Sequence, residues 1–309
     1  MAATAPSTST TIESGRLAVE PAVYEPARTS RGLWRDAWRR LLHNRLAVAG
    51  MIFIAVVIAV AALADVLPLD DPTFQYPNSS YAPASAAHLL GTDQLGRDVL
   101  SRLIHGARVS LSVAVFAQAI ILVLGLTVGG LSGYFGGRVD NWLMRFTDVF
   151  YAFPDLLFVI IITAALGASL TNIFLAIGLV NWTNLARLVR GQVLTLRERD
   201  FVNAARSLGA TAPRILVNHL LPNAAGPVIV QLTYGLPQAI FTEAVLSFIG
   251  LGVRPPQASW GTMVQQGNEA IFSAPHLVLF PGLAIALTML AFNFLGDGLR
   301  DALDPQNTR

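Results

Sequence analysis

The chain has 309 residues, 53% of them hydrophobic and 13% charged, where an ordinary soluble domain carries roughly 25% charged residues. That deficit points to a bilayer, and the net charge of +2 is too small to indicate a nucleic-acid partner. Cysteine is absent, which excludes disulfides, thiolate metal sites and cysteine nucleophiles, and all 21 basic residues are Arg, so the Lys of a phosphate-cradling P-loop is missing and ATP cannot be hydrolysed by that route.

Residues 1–30 are rich in Ser, Thr, Ala and Pro without an apolar period and read as a disordered cytoplasmic tail. Residues 31–105 are expected to hold an amphipathic helix, a first span and an extracytoplasmic segment. In the helix, Trp34, Trp38, Leu41 and Leu42 share one face and Arg35, Arg39 and Arg40 populate the other, as suits a helix lying on the inner membrane surface. The apolar run 46–64 follows and predicts a transmembrane helix over about 46–66, since about 20 apolar residues cross the hydrocarbon core. Ala62-Leu63-Ala64 resembles a signal cleavage site, but the run is long and starts late, so the helix reads as uncleaved.

Residues 106–298 form the main transmembrane domain, with five helices. The stretch 110–131 is uncharged and gives the second span. Residues 156–186 are also uncharged, and as one helix rising about 1.5 Å per residue they would overshoot the bilayer. Two spans joined at 167–172 fit better, the first beginning near Phe146. A fifth span is expected at about 224–248 and a sixth at about 277–295, with 299–309 a cytoplasmic tail. Six spans put both termini on one side and leave only Arg97, Arg102, Arg108 and Arg254 outside, in keeping with the enrichment of basic residues in cytoplasmic loops.

Gly125, Gly129, Gly133 and Gly137 recur every fourth residue and predict a ridge on which another helix packs closely, with Gly136-Gly137 as the cytoplasmic turn. Gly130-Leu-Ser-Gly133 also matches the GxSG string of rhomboid-like intramembrane proteases. A serine nucleophile needs a base within about 3 Å, and topology puts Ser132 at the inner end of span two and His276 at the outer end of span six. Asp148, Asp155, Glu243 and Asp297 lie in or near apolar segments, where ionisable groups are functional hypotheses by default. Asp148 and Asp155, seven apart, are expected on one helix face, and a structural ion pair or a solvated helix end suits Asp148 and Asp297. Glu243 lines a polar cavity, faces a partner subunit or is a buried neutral carboxyl; the sequence does not choose among these. No two His are close and no His/carboxylate spacing repeats, so no metal-ligand set is expected.

The stretch 203–223, NAARSLGATAPRILVNHLLPN, predicts a short helix ended by Gly209, a second helix opened by Pro213, and a stop at Pro222. Ala204, Ala205 and Gly209 give it a small surface that another protein's groove can grip.

Asn203-Ala204-Ala205, Gly209, His219 and Leu221-Pro222 have the spacing of the EAA loop of bacterial ABC importer permeases. Asn203 stands where that family has Glu, and His219 where it has Ile. The stretches GTDQLGRDVLSRLIHGARVSL, SGYFGGRVDNWLMRFTDVFYAFP, LSFIGLGVRPPQASWGTM and AFNFLGDGLRDALDP resemble the C-type permease of the dipeptide/oligopeptide branch. The resemblance implies an all-α polytopic membrane protein with six transmembrane helices, the type I importer permease fold, and a cytoplasmic coupling helix over 203–222. On that basis Asn203, Ala204, Ala205, Arg206, Gly209, Ala210, His219, Leu221 and Pro222 form the ATPase-coupling loop. Glu243, Asn181 and Trp182 are assigned to the translocation path, and Arg254, Pro255, Pro256 and Trp260 to docking of a binding protein. The implied partners are a second homologous permease, two ATP-binding subunits, an extracytoplasmic substrate-binding protein and membrane lipid. ATP and Mg belong to the ATPase partners, and no cofactor is expected on this chain. Dipeptides or oligopeptides are the expected cargo, with chelated nickel the alternative within the branch. A passive channel, which needs no nucleotide partner, is the rival outside it.

Overall fold

The computed structural model describes residues 33–304; the expected tail at 1–30 and the last five residues lie outside them. Helix α1, Leu33–His43, is followed at once by α2, Arg45–Ala62, because the Asn44 side chain accepts the N–H groups of Leu46 and Ala47 and caps the new helix. Ala37 and Leu41 of α1 pack against the far end of the chain, leaving Trp34, Trp38 and Leu42 as an exposed stripe. Leu41 therefore leaves the lipid-facing set that the sequence suggests: it lies one residue off the i, i+4 row and faces protein.

Residues 63–98 contain no helix and only one β-bridge, Thr92 with Asp98. Asp98 then caps α3, Val99–Phe135, by accepting the Ser101 N–H at 2.7 Å. At about 1.5 Å per residue this helix is about 55 Å long, nearly twice the hydrocarbon thickness. It starts about three turns before the apolar run, and Arg108 near its outer part bonds the last carbonyls of α2 and the Asp65 carboxylate. That guanidinium holds the Asp65 carboxyl below the usual carboxylate range.

After Gly136 come α4, Gly137–Tyr151, and α5, Asp155–Leu166, bent against each other by 83°. The expectation of one helix from Phe146 through Leu166 is corrected here. Pro154 has no N–H to continue the ladder and forces its predecessor out of helical geometry. Asp148 and Asp155 thus sit on two helices rather than one face. Asp148 pairs with Arg187 at 2.7 Å, and Arg187 also lies over the Tyr151 ring.

Helix α6, Leu170–Leu196, begins at the Ser169 cap. It packs on α3 more extensively than any other pair of helices in the fold, and the glycine ridge is the reason. A Cβ on Gly129 would stand 2.3 Å from the Ala186 carbonyl oxygen, and one on Gly133 2.9 Å from that of Arg190. Only backbone without a side chain permits this approach. Gly137 is not part of the seam; it opens α4.

Three short helices lead on: α7, Asp200–Ser207; α8, Ala212–Ile215, continued by a π-helical turn, Leu216–Leu220; and α9, Leu221–Asn223. Pro222 was expected to stop this segment, but the helix runs past it and bends by 65° only at Ala224. The wider π turn just before Pro222 moves the preceding carbonyls away from the proline ring. Helix α10, Ala225–Phe248, is followed by the short α11, Trp260–Asn268, which the sequence reading does not anticipate, and by α12, His276–Leu303. The last helix runs on through residues 299–303 of the expected C-terminal tail because Gly298 and Ala302 pack on α1 and the start of α2.

Four helices (α2, α3, α6, α12) are long and apolar enough to cross a membrane, and the two bent pairs bring the number to six if each is one span. Alone, α10 is too polar to qualify, for a reason the cavity below makes plain. The described ends of the chain, α1 and the last turns of α12, lie at the same end of the bundle as the loop 200–223. Residues 63–98 and α11 lie at the other.

Candidate functional site

The loop between α6 and α10 has two faces. Val202, Ile215 and Leu220 are buried, together with Val189 and Val193 of α6 and Val228 of α10, in one apolar cluster. The opposite face carries Asn203, Ala204, Arg206, Gly209 and two large apolar side chains, Phe201 and Leu208. Leu208 is 88% exposed, and Phe201 on the same side is 41% exposed.

Helix α7 ends in a Schellman motif. Gly209 takes φ +79°, its N–H bonds the Arg206 carbonyl, and the Ala210 N–H bonds the Ala205 carbonyl. The motif brings the side chains of Ala205 and Ala210 together on the buried cluster. Of the expected docking residues, then, Ala204 and Gly209 are on the outer face, while Ala205 and Ala210 hold the loop to the bundle. His219 and Leu221 are half-buried, Pro222 is exposed, and the Asn203 side chain accepts a long 3.4 Å bond from Arg206. Sequence reasoning missed Leu208 and Phe201. Their signal was available as large apolar residues flanking a helix whose inner face Val202 already occupies.

Arginines clamp this end. Arg190 grips Asp140 through both carboxylate oxygens at 2.6 Å, and Arg197 bonds the Gly133 carbonyl at 3.0 Å. Ser132, the serine of the protease-like string, donates to the same Asp140 carboxylate. Its hydroxyl thus belongs to the clamp that joins α3, α4 and α6.

Midway along the bundle, α3, α6 and α10 enclose a cavity of about 210 Å³. Its polar lining is made of five amides, Gln118, Asn181, Asn184, Gln231 and Gln238, with Tyr234 and Thr242. None of the lining residues carries a charge. These positions are what make α10 polar, since Gln231, Tyr234, Gln238 and Thr242 fall near one helical face.

Of the three residues assigned to the path, Asn181 lines this cavity and two do not. Trp182 is buried and packs against Phe146 and Phe150 of α4. Glu243 is fully buried, accepting from Ser247 at 2.7 Å and from Ser110 at 3.3 Å. Ser110 in turn accepts the Trp260 N–H, and the Ser259 hydroxyl beside it caps α11. The carboxyl is thus the hub of a network joining α3, α10 and α11, one residue round the helix from the cavity wall.

At the far end Arg254, Pro255 and Pro256 are exposed, but Trp260 is buried with its indole N–H bonded to the Leu103 carbonyl. Trp260 therefore offers no docking surface; it anchors α11 to α3.

Residues 121–309 match the family described as binding-protein-dependent transport system inner membrane component, and residues 32–84 match the N-terminal TM domain of oligopeptide transport permease C. The chain is 44% identical over 273 residues to the dipeptide transport system permease protein DppC of Alkalihalophilus pseudofirmus, covering 88% of this chain and 90% of that one. It is 43% identical over 280 residues to the oligopeptide transport system permease protein OppC of Bacillus subtilis, covering 91% and 92%. It is also 42% identical over 275 residues to the glutathione transport system permease protein GsiD of Pectobacterium atrosepticum, covering 88% and 91%. The fold resembles that in inward-facing conformations of the MetNI methionine ABC transporter, with a TM-score of 0.50, 18% identity, and coverage of 66% of this chain and 97% of that one. Helix order, a two-faced loop before α10 and these likenesses agree: the chain belongs to the binding-protein-dependent transport system inner membrane components, as a multi-pass permease subunit of an ABC importer.

Proposed function

We infer that this permease passes short peptides, and that the uncharged amide-lined cavity is its share of the path. A peptide presents donors and acceptors at every residue whatever its side chains. Amide groups, which both donate and accept, can serve such a ligand without fixing the charge of its side chains. The relatives named for dipeptides, oligopeptides and glutathione support the same cargo class.

The remaining assembly is part of this proposal. A second homologous permease closes the open side of the cavity. The loop 203–222 docks on an ATP-binding subunit through Phe201, Ala204, Leu208 and Gly209, and two such subunits bind the ATP and Mg, none of which this chain holds. Arg254 and Pro255, with Pro256 exposed next to them, border a hollow of about 390 Å³ where an external binding protein can seat. Arginine placement supports a cytoplasmic loop end, since all but four of the arginines in the six-span reading fall on that side.

The test is uptake of a labelled dipeptide into proteoliposomes holding the permease pair, ATPases and binding protein. Gln238→Ala with Asn181→Ala should lower uptake about tenfold, one lost pair of hydrogen bonds being worth about 1–2 kcal/mol, while ATPase binding is unchanged. Uptake equal to wild type would remove the cavity from the path.

A further inference from the structure

The segment 63–98 is a long excursion without a helix, joined to the bundle by few apolar contacts. The ion pairs of Asp93 with Arg97 and Arg102 tie it at one place, and no disulfide can tie it at another because the chain has no cysteine. Three side chains from separate parts of this region converge instead: Asp70, His88 and Asp98 each direct one ligand-type atom into a space where all three lie within 4.8 Å of one another. His88 Nδ1 is 3.0 Å from Asp98 Oδ2 and 3.7 Å from Asp70 Oδ2. Ligands about 2.0–2.1 Å from a tetrahedral zinc ion stand about 3.3–3.4 Å apart, a value between these two distances.

The surroundings orient the set. Asp98 uses Oδ1 to accept the Ser101 N–H at the start of α3, which turns Oδ2 toward His88. The Tyr76 hydroxyl bonds the Asp70 carboxylate, and the Tyr76 ring packs edge-on against the His88 ring at 4.8 Å. The His88 backbone is fixed by Ser85, whose hydroxyl accepts its N–H. Supports of this kind characterise metal ligands. One proton on His88 Nδ1 can point at only one of the two carboxylates that face it, Asp98 Oδ2 or Asp70 Oδ2, whereas a cation among the three atoms contacts all of them. Asp98 and His88 are mostly buried while Asp70 is open on one side, which leaves room for a water as the fourth ligand.

We propose that Asp70, His88 and Asp98 hold a structural zinc ion that pins the segment 63–98 to the head of α3. On binding, the His88 Nδ1 proton is released to solvent or moves to Nε2. Sequence spacing hides the set, because positions 70, 88 and 98 share no motif and meet only through the fold.

The full chain, purified with its partner subunits in detergent, would be stripped with a chelator and titrated with Zn²⁺ against a chromophoric competitor. Metal content would be measured in parallel by mass spectrometry. One zinc per chain is expected, with affinity reduced about tenfold or more in both His88→Gln and Asp70→Asn and unchanged in His219→Gln. Chymotrypsin adds a readout of the pinning, since Phe74 and Tyr81 are exposed: zinc should slow cleavage of the wild type in this segment but not of His88→Gln. Zinc bound equally by His88→Gln, no zinc bound at all, or Mn²⁺ held in preference to Zn²⁺ would each overturn the assignment.

Discussion

Leu208→Ala separates docking from folding at a single residue. The side chain is 88% exposed and Val202, on the short helix that ends just before it, is fully buried. Covering a leucine completely is worth about 1.5–3 kcal/mol. If a partner subunit takes Leu208 into its groove, truncation should therefore weaken that contact by about 2 kcal/mol, or about 30-fold in affinity. The isolated chain should hardly notice, because substitutions at exposed sites usually stay within about 0.5 kcal/mol. Val202→Ala should do the reverse in the first instance, costing about 2 kcal/mol of stability through lost burial and the cavity left behind. The assay pairs thermal unfolding of the purified permease with surface-immobilised binding of the ATPase subunits. Wild-type affinity in Leu208→Ala would refute the docking face. A loss of stability in Leu208→Ala equal to that in Val202→Ala would refute the division of the loop into two faces.

Two further substitutions test the packing. Gly129→Ala puts a methyl group 2.3 Å from a backbone carbonyl that cannot move without its helix. It should cost about 1–3 kcal/mol, read as a lower unfolding temperature, whereas Gly191→Ala, which meets nothing within 4 Å, should cost none. Glu243→Gln keeps an acceptor for Ser247 and should be tolerated, while Glu243→Leu strands the Ser110 and Ser247 hydroxyls at about 1–3 kcal/mol each. Equal stability of the two Glu243 variants in the same unfolding assay would show that the carboxyl is not a structural hub.

Much of the fold is legible in the sequence because a bilayer imposes length and hydropathy on its spans. The apolar run 277–295 lies inside α12, the run 46–64 forms α2 but for its last two residues, and the glycine row at 125–133 marks the α3–α6 seam. What stays hidden depends on partners distant in sequence. Hydropathy gives the apolar part of α3 but not its polar extension, which is fixed by the Asp98 cap and by α11. Glu243 is conspicuous as a carboxylate in an apolar run, yet its role rests on Ser110, 133 positions away. The cavity is half legible: Asn181 stands out in α6, but the amides of α10 are seen to converge only once Gln118 is placed opposite Gly235. Near neighbours mislead for another reason. Ala204 and Ala205 are alike in composition, and the Schellman cap sends one outward and the other in.

The cavity also lies between two zones in which the bundle is tied. Toward the loop end, α3 and α6 are joined by the glycine seam and by Arg190 and Arg197, and the inner face of the loop belongs to the same apolar cluster. Displacement of the loop is therefore carried by α6 and α3 as one body rather than absorbed locally. Toward the other end, the Glu243 network holds α10 to α3 and α11. Between these two ties α10 contains Pro237, which removes a rung of the helical ladder, and at its foot is the 65° bend at Ala224. A helix that lacks a rung bends most easily there, and Pro237 stands among Tyr234, Gln238 and Thr242 of the cavity lining, with α12 backing the stretch through Asp297 on the Tyr234 hydroxyl. On the proposed path, the groups that meet cargo are thus mounted beside the point at which α10 bends most easily.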